Sequence, residues 1–202
     1  MLRLPKPGTF ETLVTTVAVP TAGLWRLSMH PASEPYWARG AQSRFDDPAG
    51  ATPGAATFGV LYAGQDPETA FCESVIHENS LFANGAFVVS KAGLVARSLV
   101  GFKHPTKPSL TLADLTGVGL KALGLNNDIS AGDDYRVSQA WAAAIHVARP
   151  ELDGIRYVSR QRNDAFCYAL FDRSGVVVDG AAPMPDPVLN ALCLRFNVRV
   201  VA

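Results

Sequence analysis

Glu73 is the residue whose setting most strongly suggests chemistry. It ends the segment LYAGQDPETAFCE, residues 61–73, in which a strand pattern passes into a helix pattern. The predicted helix is apolar on nearly every side, which is typical of a buried helix. Because a buried carboxylate has to be paired or hydrogen-bonded, Glu73 is either a partly exposed or arginine-paired residue or a functional carboxylate on the floor of a pocket. The helix pattern alone favours the first interpretation.

The same helix offers a pair of metal-ligand types. Glu73 and His77 are four residues apart in the sequence ESVIHE, and Glu78 follows. Two ligands one helical turn apart are a known zinc spacing, but the order H-E-x-x-H is absent. The other histidines, which form no ligand-like cluster, are His30, His104 and His146. We therefore expect no metal.

The elements that would position Glu73 can be predicted from caps and hydrophobic patterns. Asp66 is a good N-cap and Pro67 suits the first helical position, so a helix should run from there to about Glu78. Apolar patterns predict strands over residues 24–29, 58–64, 85–92, 94–100, 154–160, 165–172 and 175–180. Further helices are predicted over residues 109–125, 133–150 and 185–197. Strands gathered toward both ends with helices between them favour an α+β fold.

Composition and charge limit the class of protein. The 202 residues are 48% hydrophobic and 18% charged, which is typical of one globular domain, and the net charge of zero gives no argument for a nucleic-acid partner. No apolar run is long enough for a signal peptide or a membrane span. We expect a cytoplasmic protein with an irregular arm over residues 1–22 and a domain over residues 23–202. The three cysteines, Cys72, Cys167 and Cys193, are expected to be buried and reduced.

Arginines that could bind a phosphate occur in two segments. Residues 30–57 form a connector rich in Gly, Pro and Ala that carries Arg39 and Arg44, and structureless connectors of this length are usually functional. Its glycines have neither the spacing of a P-loop nor that of a dinucleotide-binding loop, so we discard both. Arg160 and Arg162, near the other end of the chain, are interpreted as a solvated basic cluster.

Four short segments, taken in order, resemble the RES domain, a family of bacterial toxins named for an arginine, a glutamate and a serine. The segments are LWRLSM, SRFD, VLYAGQDPETAFCE and LDGIRYVSR. They include Tyr62, eleven residues before Glu73, and Ser159 at the end of a predicted strand. The family often has Gly-Arg-Trp-Asn where this chain has the Ser-Arg-Phe-Asp of the second segment, so Arg44 and Arg39 both remain candidates for the family's arginine.

The resemblance implies an α+β domain that is similar to ADP-ribosyltransferases and acts on NAD as its substrate. Some family members degrade NAD by hydrolysis or phosphorolysis, and others transfer ADP-ribose to a protein. These toxins pair with a small Xre-like antitoxin that carries a helix-turn-helix and blocks the active site. Three interpretations follow: an NAD glycohydrolase or phosphorylase that depletes cellular NAD, a mono-ADP-ribosyltransferase, or a non-catalytic interaction module of the same fold. A homodimer is left open, and no membrane or direct nucleic-acid partner is expected.

The residue types in these segments suit cleavage of the nicotinamide–ribose bond. Cleavage builds positive charge on the ribose, which the carboxylate of Glu73 can stabilise, and the neutral nicotinamide needs no general acid to leave. The ring of Tyr62 can stack on nicotinamide. Arg44 and Arg26 can bind the pyrophosphate through their guanidinium forks. Ser159 can hydrogen-bond the NAD or orient Glu73.

Overall fold

The computed structural model describes residues 3–77 and 81–202, so the predicted helix end at Glu78 lies outside the described residues. The strands are β1 Thr16–Pro20, β2 Leu24–Ser28, β3 Val60–Gly64, β4 Leu81–Ala83, β5 Ala86–Ser90, β6 Ser98–Lys103, β7 Ser109–Leu115, β8 Gly154–Val158, β9 Phe166–Phe171, β10 Val177–Pro183 and β11 Val198–Val201. The α-helices are α1 Pro67–Phe71, α2 Lys91–Val95, α3 Gly117–Ala122, α4 Asp128–Ala131, α5 Arg136–Ala148 and α6 Asp186–Arg195. No helix among the described residues combines the length and the apolarity needed to cross a bilayer.

Two mixed sheets organise the chain. The larger has eight strands in the order β1-β7-β8-β9-β3-β2-β6-β10, and its strands pair antiparallel except for β7 with β8. The smaller has the order β11-β5-β4, with β11 parallel to β5. Strands of both directions mixed with helices in this way make an α+β fold, as predicted.

The eight-stranded sheet divides between β2 and β3, and this division creates the site. These two strands are in register at one position, Trp25 opposite Gly64. Each pairs over five positions with its other neighbour, β2 with β6 and β3 with β9. Apolar side chains from both halves, Leu24 and Val100 from one and Leu61 and Leu170 from the other, share one buried cluster. A cleft opens where the two strands diverge, and residues of both line it.

Helix α5 and the π-helical turn that follows α1 support the two halves from different sides. Trp141 and Ile145 of α5 pack in one core cluster with Phe58 and Phe171. The α1 region packs in another cluster, together with β5, α6 and β11. Because apolar burial stabilises by roughly 25 cal/mol per Å², these clusters hold the cleft walls in place.

Residues 109–125 do not form the predicted helix. Leu110 and Leu112 of β7 enter one core cluster, whereas Ala113 and Leu115 enter another, so the side chains alternate between the two faces of the sheet. The period of two in SLTLADL therefore decides the structure of this segment, and only α3 is helical. The competing signal was a threonine with an aspartate at capping-box spacing, which here lies within the strand.

Two further predictions are corrected. Residues 91–95 are helical, because Ser90 caps α2 by accepting a hydrogen bond from the Gly93 amide, and the predicted strand over residues 94–100 starts only at Ser98. The arm over residues 1–22 is not irregular throughout, since β1 pairs with β7 at the edge of the large sheet. The three cysteines are buried and unpaired, as predicted.

Candidate active site

Glu73 lies on a π-helical turn rather than in a regular α-helix. Asp66 caps α1 by accepting a hydrogen bond of 2.6 Å from the Thr69 amide, and α1 passes at Cys72 into the π-helix Cys72–Ile76. Single π turns within helices occur frequently at functional sites. The hydroxyl of Ser74 donates to the Leu27 carbonyl over 3.0 Å, which ties this turn to β2 on the other side of the division in the sheet.

The carboxylate of Glu73 is held from behind by the residues that follow β8. Ser159 Oγ donates to Glu73 Oε1 over 2.5 Å, and the Gln161 amide lies 3.4 Å from the same oxygen. Ser159 Oγ in turn accepts hydrogen bonds from the amides of Gln161 and Arg162, at 3.2 and 3.0 Å. These two donors direct the hydroxyl proton of Ser159 toward Glu73. The buried thiol of Cys167 also interacts with this carboxylate through a side-chain hydrogen bond. Within residues 3–77 and 81–202, no Lys or Arg forms an ion pair with it.

The hydrogen bond from Ser159 to Glu73 is the contact that one of its two predicted roles, orienting Glu73, requires, and the role itself stays a prediction. Only 2% of the surface of Ser159 is exposed, and it lies behind the carboxylate and not on the wall of the cleft. Direct contact between Ser159 and a ligand, the other predicted role, is not favoured by this placement.

The cleft in front of Glu73 has a volume of about 340 Å³, within the usual range for small-molecule sites. Tyr62 lines it from β3 and is half-buried. Its hydroxyl donates to Asp46 Oδ1 over 2.9 Å and accepts from the Phe45 amide over 2.8 Å. Burial, and then the negative charge of Asp46, raises the pKa of Tyr62 well above its usual value, so the hydroxyl stays a neutral donor. Tyr62 thus fixes the segment that carries Arg44.

Arg44, and not Arg39, lines the cleft. The Arg44 side chain is buried, its Nη1 donates to the Gly132 carbonyl over 2.7 Å, and its guanidinium lies 4.7 Å from the centre of the Tyr135 ring. No acidic side chain among the described residues pairs with it. A buried cation without a counter-ion favours an anionic ligand. Arg39, by contrast, is exposed and paired with Asp172.

Arg26 also lines the cleft, but its charge is already compensated. Its Nε lies 3.4 Å from Glu34 Oε1, and the Glu34 side chain is 1% exposed. The Tyr36 amide donates to the other oxygen of Glu34 over 2.8 Å. The predicted role of Arg26 as a phosphate ligand stays a prediction, and its buried partner weakens it.

The sequence analysis assigned no role in the site to three residues of the cleft: Tyr135, Tyr157 and Cys167. Period-two alternation along β8 places Tyr157 on the same face as Ser159, so this tyrosine could have been found. Burial, and then the negative charge of Glu73, raises the pKa of Cys167 well above its usual value, so the thiol stays protonated and is not a nucleophile at neutral pH.

The two arginines predicted to be solvated have different surroundings. Arg160 is exposed, as predicted, although it also lines the cleft. The solvated interpretation is wrong for Arg162, whose side chain is largely buried. The Arg162 side chain is 12% exposed and pairs with Asp66 and Glu68 at 3.3 and 3.2 Å. Arg162 therefore joins the segment after Ser159 to the start of α1, and it does not line the cleft.

His77 lines the cleft one helical turn beyond Glu73. Its Nδ1 lies 3.0 Å from Gln161 Nε2. In the part of the chain that the structure describes, no three His, Cys, Asp or Glu side chains come together as a metal site.

Comparison with known proteins gives the family. The family model described as RES domain matches residues 23–189, and the chain belongs to the RES domain family. A crystal structure of the M. tuberculosis MbcT–MbcA toxin–antitoxin complex is similar, with a TM-score of 0.56, 15% sequence identity, and coverage of 89% of this chain and 90% of that one. A search of curated proteins finds no match. The α+β fold and the family predicted from the four short segments are both confirmed.

The contacts of Tyr62 predict a stability effect that can be measured without any ligand. Tyr62→Phe leaves the ring in place but removes the partner of Asp46 and of the Phe45 amide. We expect it to lower the free energy of unfolding by about 1–3 kcal/mol, because buried polar groups lose a hydrogen bond. Denaturant unfolding measures this, with Tyr36→Phe at an exposed tyrosine as the matched control. Equal losses in the two variants would contradict the role given to the Tyr62 hydroxyl.

Proposed function

We propose that this chain cleaves the bond between nicotinamide and ribose in NAD, as a glycohydrolase or phosphorylase. The observation that carries the proposal is the state of Glu73. Its carboxylate is held by Ser159, lines a cleft of ligand size, and forms no ion pair with a Lys or Arg among the described residues. A fixed carboxylate without a cation is suited to stabilise positive charge that develops on a bound molecule.

The chemistry follows from that carboxylate. As the nicotinamide–ribose bond breaks, positive charge builds on the ribose, and Glu73 stabilises it. Nicotinamide leaves as a neutral molecule, so no general acid is required. Water or phosphate then attacks the ribose. Because Ser159 and the Gln161 amide bind only Oε1, the second oxygen of Glu73 can accept a hydrogen bond from a ribose hydroxyl.

The rest of the cleft supports binding of the dinucleotide. Arg44 offers an uncompensated guanidinium to the pyrophosphate, and such charge-assisted contacts are the strong ones. The ring of Tyr62 offers a surface for the nicotinamide ring. Tyr135 stacks with Arg44 and so limits the orientations of its guanidinium.

The biological role proposed is that of the toxin of a bacterial toxin–antitoxin pair. Membership of the RES domain family supports it, and so does the likeness to a chain from a toxin–antitoxin complex. The partner would be an Xre-like helix-turn-helix protein that blocks the cleft, and the site of action would be the cytoplasm. Loss of cellular NAD would then arrest growth.

Inducible expression in a bacterium tests this role. We expect expression of the natural chain to lower the cellular NAD concentration before growth stops, while Glu73→Gln at equal protein level leaves both unchanged. Growth arrest with normal NAD, together with protein labelled from radioactive NAD, would instead indicate an ADP-ribosyltransferase. Normal growth and normal NAD with abundant folded protein would indicate a non-catalytic module.

Ser159→Ala should reduce the rate of nicotinamide release by about tenfold or more, since one lost hydrogen bond to a charged group is worth roughly 1.5–3 kcal/mol. The reason is that Glu73 loses the donor that orients it. Steady-state kinetics should show the effect mainly in kcat, because Ser159 lies behind the carboxylate. Ser174→Ala is the matched control, as this serine is also buried and does not line the cleft. A change confined to KM would contradict a role for Ser159 in orienting Glu73.

A further inference from the structure

Arg160 occupies a distinctive position in the cleft. It follows Ser159 directly, so its backbone is fixed by the same contacts that hold Glu73. Its side chain is 31% exposed, and its Nη1 lies 2.7 Å from Asp133 Oδ1. Asp133 belongs to the segment between α4 and α5, and its side chain is 86% exposed.

The segment that holds Arg160 also holds Arg44. Gly132 accepts the hydrogen bond of Arg44, and the neighbouring Asp133 pairs with Arg160. Since the two acceptors belong to consecutive residues, the two guanidinium groups lie within roughly 12 Å of each other. Two cations at this separation on the wall of one cleft can bind the two phosphates of a diphosphate.

Arg160 is better suited to exchange its partner than Arg26. The partner of Arg26, Glu34, is buried, and separating the pair would leave a carboxylate without compensation in the protein interior. Asp133 is exposed, so water replaces its contact at little cost, and exposed ion pairs are weak. A phosphate that approaches Arg160 therefore displaces Asp133 more readily than it displaces Glu34 from Arg26.

We infer that Arg160 is a second phosphate ligand of the cleft, beside Arg44, and that Asp133 competes with the phosphate for it. The inference rests on the proposed function, since the ligand is a dinucleotide. It assigns opposite effects to the two members of one ion pair. Loss of the arginine weakens binding, whereas loss of the aspartate strengthens it.

Binding of NAD measured by calorimetry tests this, with Glu73→Gln as the common background so that turnover does not interfere. Arg160→Ala should raise the Kd for NAD by about tenfold, the order expected for one charge-assisted contact. Asp133→Asn should lower the Kd by a factor of about two to five, because an exposed pair is worth at most about this much. A misfolded variant would bind NAD more weakly and not more tightly. A lower Kd in Asp133→Asn therefore cannot be explained by misfolding. Asp134→Asn and Arg136→Ala, which break the neighbouring exposed pair, should leave the Kd unchanged.

Adenosine, which has no phosphate, is the second probe, and its affinity should be the same with and without Arg160→Ala. Loss of adenosine binding in that variant would show a structural role and overturn the inference. So would an unchanged Kd for NAD in Arg160→Ala, or an unchanged or weaker affinity in Asp133→Asn. If the background protein binds no NAD at all, the proposed function fails, and the inference fails with it. If the background protein binds NAD and its Kd is the same with and without Arg160→Ala, the inference alone fails.

Discussion

Glu73→Gln should lower the rate of nicotinamide release from NAD by roughly 10²–10³-fold, the range found when one preorganised electrostatic contact is removed from an active site. The substitution keeps the size of the side chain and its ability to accept the hydrogen bond of Ser159. It removes the negative charge that, under the proposed function, stabilises the developing positive charge on the ribose. The expected loss is therefore in kcat, and it is measured by following released nicotinamide at saturating NAD.

Two controls make the Glu73 result specific. Thermal unfolding should show the same midpoint within a few degrees, since no described ion pair depends on Glu73. Glu151→Gln, at an exposed glutamate paired with Arg149, should keep full activity. A Glu73→Gln variant that retains activity close to that of the natural chain would contradict the central role of this carboxylate.

Arg44→Gln should raise the Kd for NAD by about 10–100-fold. The estimate follows from a hydrogen-bonded contact to a charged group, worth roughly 1.5–3 kcal/mol. Arg44 is a buried guanidinium of the cleft without an acidic partner among the described residues, so under the proposed function a phosphate of NAD would be its counter-ion. Arg44→Lys should recover only part of the affinity, because lysine keeps the charge but loses the planar fork. Calorimetric titration with NAD gives all three values.

Arg39→Gln is the matched control for Arg44, since both arginines come from the same connector. Arg39 pairs with Asp172 outside the cleft, so its loss should leave the affinity for NAD unchanged. If Arg39→Gln weakened NAD binding and Arg44→Gln did not, the assignment of Arg44 as the phosphate-binding arginine would be wrong.

Two strands that border the cleft could be predicted because their hydrophobic patterns and their flanking turn residues indicate the same structure. In VLYAG and GIRYV the hydrophobic pattern and the flanking turn residues point to the same structure, and β3 and β8 are found there. In residues 109–125 the signals conflict. A capping-box spacing and a helical run beyond residue 116 favour a helix, but strand alternation and two neighbouring strands decide the outcome. Tertiary pairing overrides local propensity in such segments.

The site was predictable to the extent that its residues lie near a strong local signal. Glu73 follows a well-capped helix start, and Ser159 follows a strand. The position of Arg44 depends on a connector that is held by a hydrogen bond from Tyr62 of β3 to Asp46, so a single sequence could not separate Arg44 from Arg39. The π turn at Glu73 likewise depends on packing against β2, and local propensity does not encode it.

The most direct test of NAD cleavage is to incubate the purified chain with NAD, with and without phosphate, and to identify the products by mass spectrometry. We expect free nicotinamide in equal amount to ADP-ribose or, when phosphate is the acceptor, to its phosphorylated form, and a rate roughly 10²–10³-fold lower from Glu73→Gln. Intact NAD after incubation of the folded chain, in both buffers and also with added cell lysate as a source of protein acceptors, would contradict the proposed cleavage of NAD.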